Sequence, residues 1–205
     1  MKIGVLALQG DYREHLQVLR TLGVEAVEVR LSRDLEGIAG LIIPGGESTT
    51  IGKLAERYHL IEPLRALAQT KSVWGTCAGM ILLARDIGKE QPTLGIMNIA
   101  VERNAFGRQK DSFQAKLKVP VLPNGEAKPF PGVFIRAPAL VGVKGDARLI
   151  ARLSDGTGVA AQEGKWLATS FHPELTEDNR FHRYFLGLVD PNVANPSSRS
   201  RNASS

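Results

Sequence analysis

Val73-Trp74-Gly75-Thr76-Cys77-Ala78-Gly79-Met80-Ile81-Leu82-Leu83-Ala84 is the stretch on which the reading of this chain turns. An apolar, strand-like run enters Gly75-Thr76-Cys77-Ala78-Gly79 and leaves as a helix-forming run. That is the pattern of a nucleophile elbow, where a side chain is held out on a strand-to-helix corner. The flanking glycines permit the tight turn, and the following helix offers free N–H groups and the positive end of its dipole. Cys77 is the only cysteine in 205 residues, which excludes an intramolecular disulfide and any Cys-x-x-Cys metal or redox site. Two readings stand at this point: a reactive thiol on an elbow, or a buried and inert cysteine, a residue type often found in cores.

Working outward, Ile3 to Leu8 reads as a buried strand. Gly10 follows, and then a helix with Tyr12, Leu16, Leu19 and Leu22 at helical spacing that stops at Gly23. Val24 to Val29 reads as a second strand, and Gly40 to Ile43 as a third that enters the turn Pro44-Gly45-Gly46. Glu47-Ser48-Thr49-Thr50 supplies side chains suited to a helix's first turn. A helical stretch around Pro63 to Ala68 precedes the strand that leads to Cys77. Strands alternating with helices predict parallel βαβ units, whose ligands sit at the carboxyl ends of the strands. Cys77 and the Gly45-Gly46 turn both fall at such ends.

From about Thr93 to Phe171 the pattern predicts a β-rich, mostly antiparallel half: Gly95 to Val101, Phe113 to Val121, Gly132 to Ile135, Ala147 to Leu153, Thr157 to Gln162 and Lys165 to Phe171. A last helix, Glu177 to Leu188, carries Phe181, Tyr184, Phe185 and Leu188 on one face, which reads as core. The tail from Pro191 to Ser205 is rich in Ser, Asn and Pro with two arginines, and reads as a disordered basic extension to a single domain over residues 1–190. Hydrophobic content of 43% and charged content of 23% describe an ordinary globular protein. The net charge of +5 is not gathered into a basic run with interleaved aromatics, so nucleic acid is not an expected partner. The opening apolar run is too short for a signal-peptide core and no stretch suits a membrane span, so a cytoplasmic protein with no membrane contact is expected.

Thiol catalysis needs a base and a group that orients it. Of the four histidines, His15 and His59 lie in helical patterns without a specific partner and His182 lies on the last helix; all three read as surface or packing residues. His172 ends an apolar strand and precedes Pro173 and Glu174. A residue before proline is held extended, and positions i and i+2 then face the same way, so His172 and Glu174 can project toward one site. A carboxylate there would fix the imidazole's tautomer and stabilise its charged form; the alternative is a strand-end histidine beside an exposed glutamate. Gly45-Gly46-Glu47-Ser48-Thr49 is not a nucleotide P-loop, because Gly46 to Gly52-Lys53 has one residue too many and Leu54 follows the lysine. Its free backbone N–H groups suit an oxyanion instead.

Taken together, Pro44-Gly45-Gly46-Glu47-Ser48-Thr49-Thr50, Gly75-Thr76-Cys77-Ala78-Gly79, Val101 to Gln109, Phe134-Ile135-Arg136-Ala137-Pro138 and Phe171-His172-Pro173-Glu174 resemble, in order, the class I, triad-type glutamine amidotransferases. More narrowly they are similar to the glutaminase subunits of pyridoxal 5′-phosphate synthases, over about residues 2 to 188. The resemblance implies an α/β, flavodoxin-like three-layer fold with a mixed central sheet. It implies hydrolysis of L-glutamine with Cys77 as nucleophile, His172 as general base and then acid, and Glu174 as the orienting carboxylate. Gly46, Glu47, Ser48, Arg103, Ile135 and Arg136 are implied to contact glutamine, which agrees with a substrate carrying both a carboxylate and an ammonium. The N–H groups of Gly46 and Ala78 are the candidate oxyanion donors. Neither a metal nor a cofactor is implied. The implied partner is a synthase subunit that receives the ammonia to assemble pyridoxal 5′-phosphate (vitamin B6) and on which activity depends. The rival readings are a stand-alone cysteine amidase or peptidase of similar fold, and a regulatory subunit that binds glutamine without turnover.

Overall fold

The apolar runs of the first half have few polar residues to place against water, and they form the centre of a sheet. The computed structural model describes residues 1–106 and 112–192. In chain order these hold β1 (Lys2–Leu6), α1 (Tyr12–Thr21), β2 (Glu25–Val29), β3 (Gly40–Ile43), α2 (Ser48–Arg57), α3 (Ile61–Thr70), β4 (Ser72–Thr76) and α4 (Ala78–Leu83). The second half adds β5 (Ala84–Asp86), β6 (Met97–Glu102), β7 (Ser112–Leu117), β8 (Phe130–Ile135), β9 (Ala139–Val143), β10 (Arg148–Arg152), β11 (Gly158–Glu163), β12 (Trp166–Thr169) and α5 (Arg180–Val189).

The sheet runs β2-β1-β3-β4-β12-β11-β9-β6-β5, with β10 also paired to β11. β2, β1, β3, β4 and β12 are mutually parallel, β11 reverses direction, and the far edge is mixed. β7 and β8 form a separate antiparallel pair. The expected α/β architecture with a mixed sheet is what forms. Alternation along a strand sends neighbouring side chains to opposite faces, so β3 puts Leu41 and Ile43 into one core with Ile51, Leu64 and Met80. Ile42 goes into the other with Leu19, Trp74, Phe134 and Phe181. Helices α2, α3 and α4 cover the first face; α1, α5 and the β7–β8 pair cover the second, which makes three layers.

Two strands escaped the reading of the sequence. β5 is only three residues long, and β9, Ala-Leu-Val-Gly-Val after Pro138, lacks the alternation that marks a strand. β12 lies parallel to β4 within a half expected to be mostly antiparallel. The tail expectation, from residue 193 onward, and Gly107-Arg108-Gln109 lie outside the described residues.

The elbow is built by close approach. A Cβ on Gly75 would stand 2.4 Å from the Gly79 carbonyl carbon, and one on Gly79 would stand 2.0 Å from the Ile43 carbonyl oxygen. Only glycine lets α4 seat directly on the backbone of β3 and β4. Gly79→Ala must therefore displace backbone, and is expected to lower stability by about 2–3 kcal/mol on the scale of overpacked cores, read as a lower urea midpoint with an unchanged slope.

Candidate active site

The parallel pairing of β4 with β12 matches Thr76 to Thr169, so both strands end at the same level. The next residue of the elbow, Cys77, donates its N–H to the Thr169 carbonyl at 2.8 Å. Its backbone sits at φ 48°, ψ −104°, a strained conformation for a residue with a side chain. Three residues beyond Thr169, His172 is fixed by its own N–H, which donates to the Val133 carbonyl of β8 at 2.8 Å. Cys77 Sγ donates to the Ile135 carbonyl oxygen at 3.9 Å and interacts with the His172 ring, which lines the same cleft.

His172 Nδ1 and Glu174 Oε1 are 2.7 Å apart, which leaves the other ring nitrogen for the thiol. Both residues are buried. Burial opposes a charge on His172, yet Cys77 and then Glu174 outweigh it and push its pKa up to about 10. Burial likewise pushes the Glu174 carboxyl up, and His172 pulls it part of the way back. His172 thus lies between a sulfur and a carboxyl that both favour its charged form. Asp11 Oδ2 stands 3.4 Å from the same Nδ1. Asp11, His172 and Glu174 are the one cluster of metal-ligand side chains among the described residues. The His172 nitrogen facing both carboxylates is already committed to Glu174.

The turn between β3 and α2 forms the opposite wall. Glu47 caps α2, its carboxylate accepting from Thr49 N–H at 3.1 Å and Thr50 N–H at 2.6 Å. Partial burial would raise this carboxyl, but the hydrogen bonds from Thr50 and Thr49 outweigh it and hold its pKa down at about 2. Gly46, at φ 148°, takes a conformation that favours glycine, and a Cβ there would stand 2.6 Å from Gln9 Oε1. That Gln9 oxygen accepts the Glu47 N–H at 2.7 Å, and the Gly45 carbonyl accepts the Asp11 N–H at 3.2 Å.

A cleft of about 700 Å³, within the size range of small-molecule sites, joins these walls. Gly46, Glu47, Ser48, Arg103, Ile135 and Arg136 all line it, as do Cys77, Ala78 and His172; Glu174 sits behind His172. The two arginines differ. Arg103 is engaged by Glu47 Oε1 at 3.2 Å, Thr49 Oγ1 at 3.1 Å and Gln91 Oε1 at 2.8 Å. Arg136 is exposed, sits at φ 43°, and has no hydrogen bond or ion pair among the described residues. Gln9, Asp11 and Gln91 were not picked out from the sequence, since each matters only through partners distant in the chain.

Residues 5–190 match the family model of the SNO glutamine amidotransferase family. The chain belongs to this family. It is 58% identical over 191 residues to the pyridoxal 5′-phosphate synthase subunit PdxT of Moorella thermoacetica, covering 92% of this chain and all of the relative. It is 54% identical over 193 residues to the PdxT of Chloroflexus aurantiacus, with the same coverage. A crystal structure described as a glutamine amidotransferase superposes with a TM-score of 0.85 at 52% identity, covering 91% of this chain and 98% of that one. Within this family's fold, His59 is exposed at the end of α2, in keeping with its reading as a surface residue. His15 and His182 are fully buried, and His15 has specific partners that the helical pattern alone did not reveal. No helix among the described residues is long and apolar enough to cross a membrane.

Proposed function

We propose that this glutamine amidotransferase hydrolyses L-glutamine to L-glutamate and ammonia through a cysteinyl thioester, and hands the ammonia to a synthase subunit in the cytoplasm for assembly of pyridoxal 5′-phosphate. The observation that carries the reading is the buried Cys77–His172–Glu174 chain opening onto a cleft lined by a glycine turn and two arginines. With its proton passed to His172, the Cys77 sulfur attacks the side-chain amide carbon, and the tetrahedral oxyanion is met by N–H groups of Gly46 and Ala78. His172 gives a proton to the nitrogen as the C–N bond breaks, and ammonia leaves. His172 then takes a proton from the water that cleaves the thioester, releasing glutamate and restoring the thiol. Glu174 holds the ring in register throughout.

Glu47, Ser48 and the Ile135 carbonyl suit the ammonium end of the substrate, and arginine suits its carboxylate. Because Arg103 is already shared among three acceptors while Arg136 has no partner among the described residues, the carboxylate is assigned chiefly to Arg136, with Arg103 bracing Glu47. Arg136→Ala is expected to cost about 1.5–3 kcal/mol, the worth of a hydrogen bond to a charged group, mainly as a higher KM for glutamine. Arg103→Ala should cost less; equal kcat/KM for wild type and Arg136→Ala would remove Arg136 from the substrate contact. The reading as a whole is tested by glutamate release from the purified chain with and without a pyridoxal 5′-phosphate synthase subunit. Absence of glutamine turnover in the complex would overturn it, and turnover of peptides instead would favour a peptidase.

A further inference from the structure

Behind Glu174 lies a pair of histidines, His15 and His182, that the reaction as written does not use. One carboxylate oxygen, Oε1, is taken by His172. The other, Oε2, is buried, has no well-angled hydrogen bond among the described residues, and is faced by His15 Nε2 at 3.3 Å. His15 comes from α1, Glu174 from the turn after β12, and both side chains are wholly buried. His15 Nε2 also lies 3.2 Å from Thr76 Oγ1, the residue before Cys77. On the far side of the ring, His15 Nδ1 is 3.0 Å from Nε2 of His182 on α5. Both rings pack edge-on against Trp74, His182 at 4.9 Å and His15 at 5.6 Å between centroids.

The proton positions follow from what each alternative would leave unmade. If His15 carried its proton on Nδ1, it would donate to His182 Nε2. Its bare Nε2 could then accept from the Thr76 hydroxyl but would also face the Glu174 carboxylate, and the proton on His182 would sit on Nδ1, which has no partner among the described residues. An orphaned buried N–H and a lone pair opposed to an anion are both costly. With the proton on Nε2 of each ring, His182 donates to His15, His15 donates toward Glu174 Oε2, and only one acceptor lone pair, on His182, is left unused. Burial keeps both rings uncharged: it holds His182 down at about 3, and burial together with the facing His182 and His172 holds His15 well below its ordinary value.

We infer, resting on the glutaminase reading above, that His15 is a positioning residue of that reaction: backed by His182, it donates its Nε2 proton to Glu174 Oε2 and so fixes the rotation of the carboxylate that aligns His172. The same donation favours the ionised carboxylate. The charged and titratable groups that face Glu174 are His172 from its own segment, Asp11 from the loop before α1 and His15 from α1. Cys77 from the elbow acts through His172, and His182 from α5 acts through His15. Of these, His15 is the uncharged group that stands 3.3 Å from Oε2.

The test compares wild type, His15→Leu and His15→Gln; glutamine's amide N–H replaces the Nε2 donor, whereas leucine fills space alone. Glutamine turnover is measured in complex with a synthase subunit across pH, and Cys77 alkylation by iodoacetamide is followed across pH in the chain alone. His15→Leu should lower kcat by roughly 10- to 100-fold, the scale of a hydrogen bond to a charged group, with KM unchanged. Without the donor the carboxylate takes up a proton more readily, so the acid limbs of turnover and of alkylation should both move to higher pH by about one unit. His15→Gln should recover most of both. If His15→Leu fails to fold, His182→Phe, which removes the donor that sets the His15 tautomer, should move the same readouts in the same direction. Leucine profiles that overlay wild type would overturn the inference, as would glutamine and leucine variants impaired alike, which would reduce His15 to packing. A wild-type complex inert toward glutamine would defeat the glutaminase reading, and the alkylation profiles would still decide the role of His15.

Discussion

Cys77→Ala is expected to lower glutamine turnover by roughly 10⁶-fold, the cost of removing a covalent nucleophile that works as a unit with its base. The protein should remain folded, because the elbow is held by the bond from Cys77 N–H to Thr169 and by the seating of α4 on β3, neither of which involves the thiol. The positive φ at Cys77 permits a sharper comparison. Cys77→Gly should be as inactive as Cys77→Ala yet more stable by about 1 kcal/mol, since relief of strain of order 1–3 kcal/mol exceeds the entropic cost of a glycine, about 0.5–1 kcal/mol. Urea unfolding of the two variants beside wild type, together with labelling by a glutamine-derived electrophile, checks both halves. Residual turnover in either variant, or labelling at another residue, would dismiss Cys77 as nucleophile.

The second large effect is expected from the partner. The isolated chain should hydrolyse glutamine slowly, and addition of the synthase subunit should raise kcat by roughly 10²–10³, the worth of one preorganised oxyanion donor. The direction of the Gly46 N–H is set by the Gly45–Gly46 peptide, whose carbonyl is held by the Asp11 N–H, while Gln9 Oε1 holds the next N–H in the chain. The short loop from Gln9 to Asp11, on the wall of the cleft, therefore governs the turn. A partner that shifts this loop can release the Gly45 carbonyl, and a glycine pair can turn its peptide at low steric cost. Steady-state glutamate production with increasing synthase subunit measures the effect. Full activity without the partner, and no gain on adding it, would rule out this gating and favour a stand-alone amidase.

The sequence was most informative where chemistry and backbone demand coincide. The elbow needs glycine at Gly75 and Gly79, so it was visible as a short pattern; His172 and Glu174 do meet as the motif suggested, but through a 3-10 turn at Pro173–Leu175, with His172 at φ −106°, ψ 87°, and not through the extended run expected before proline. Likewise Glu47 was readable as a helix-starting residue, and it caps α2. What could not be read were arrangements made only by the sheet. His15 looked like any histidine on an amphipathic helix, because Thr76, Glu174 and His182, which give it a role, lie 61 to 167 positions away. β9 was missed for a related reason: Ala139–Val143 is a strand because β6 and β11 flank it, and its unbroken apolar run has no alternation to mark it. Arg103 and Arg136 looked equivalent in sequence, and only the folded chain shows Arg103 engaged and Arg136 without a partner among the described residues.

The hydrogen bond from Cys77 N–H to Thr169 ties the two chemical partners to adjacent strands deep in the sheet. The spacing of sulfur and imidazole is thus a property of the most cooperative part of the molecule, where separation requires global unfolding. The oxyanion side hangs from the β3–α2 turn and can be adjusted without disturbing that spacing. Under the proposed function, such a division would let an association event act as a rheostat on electrostatic preorganisation while the reacting pair stays assembled, the orientation of a single peptide plane being the variable.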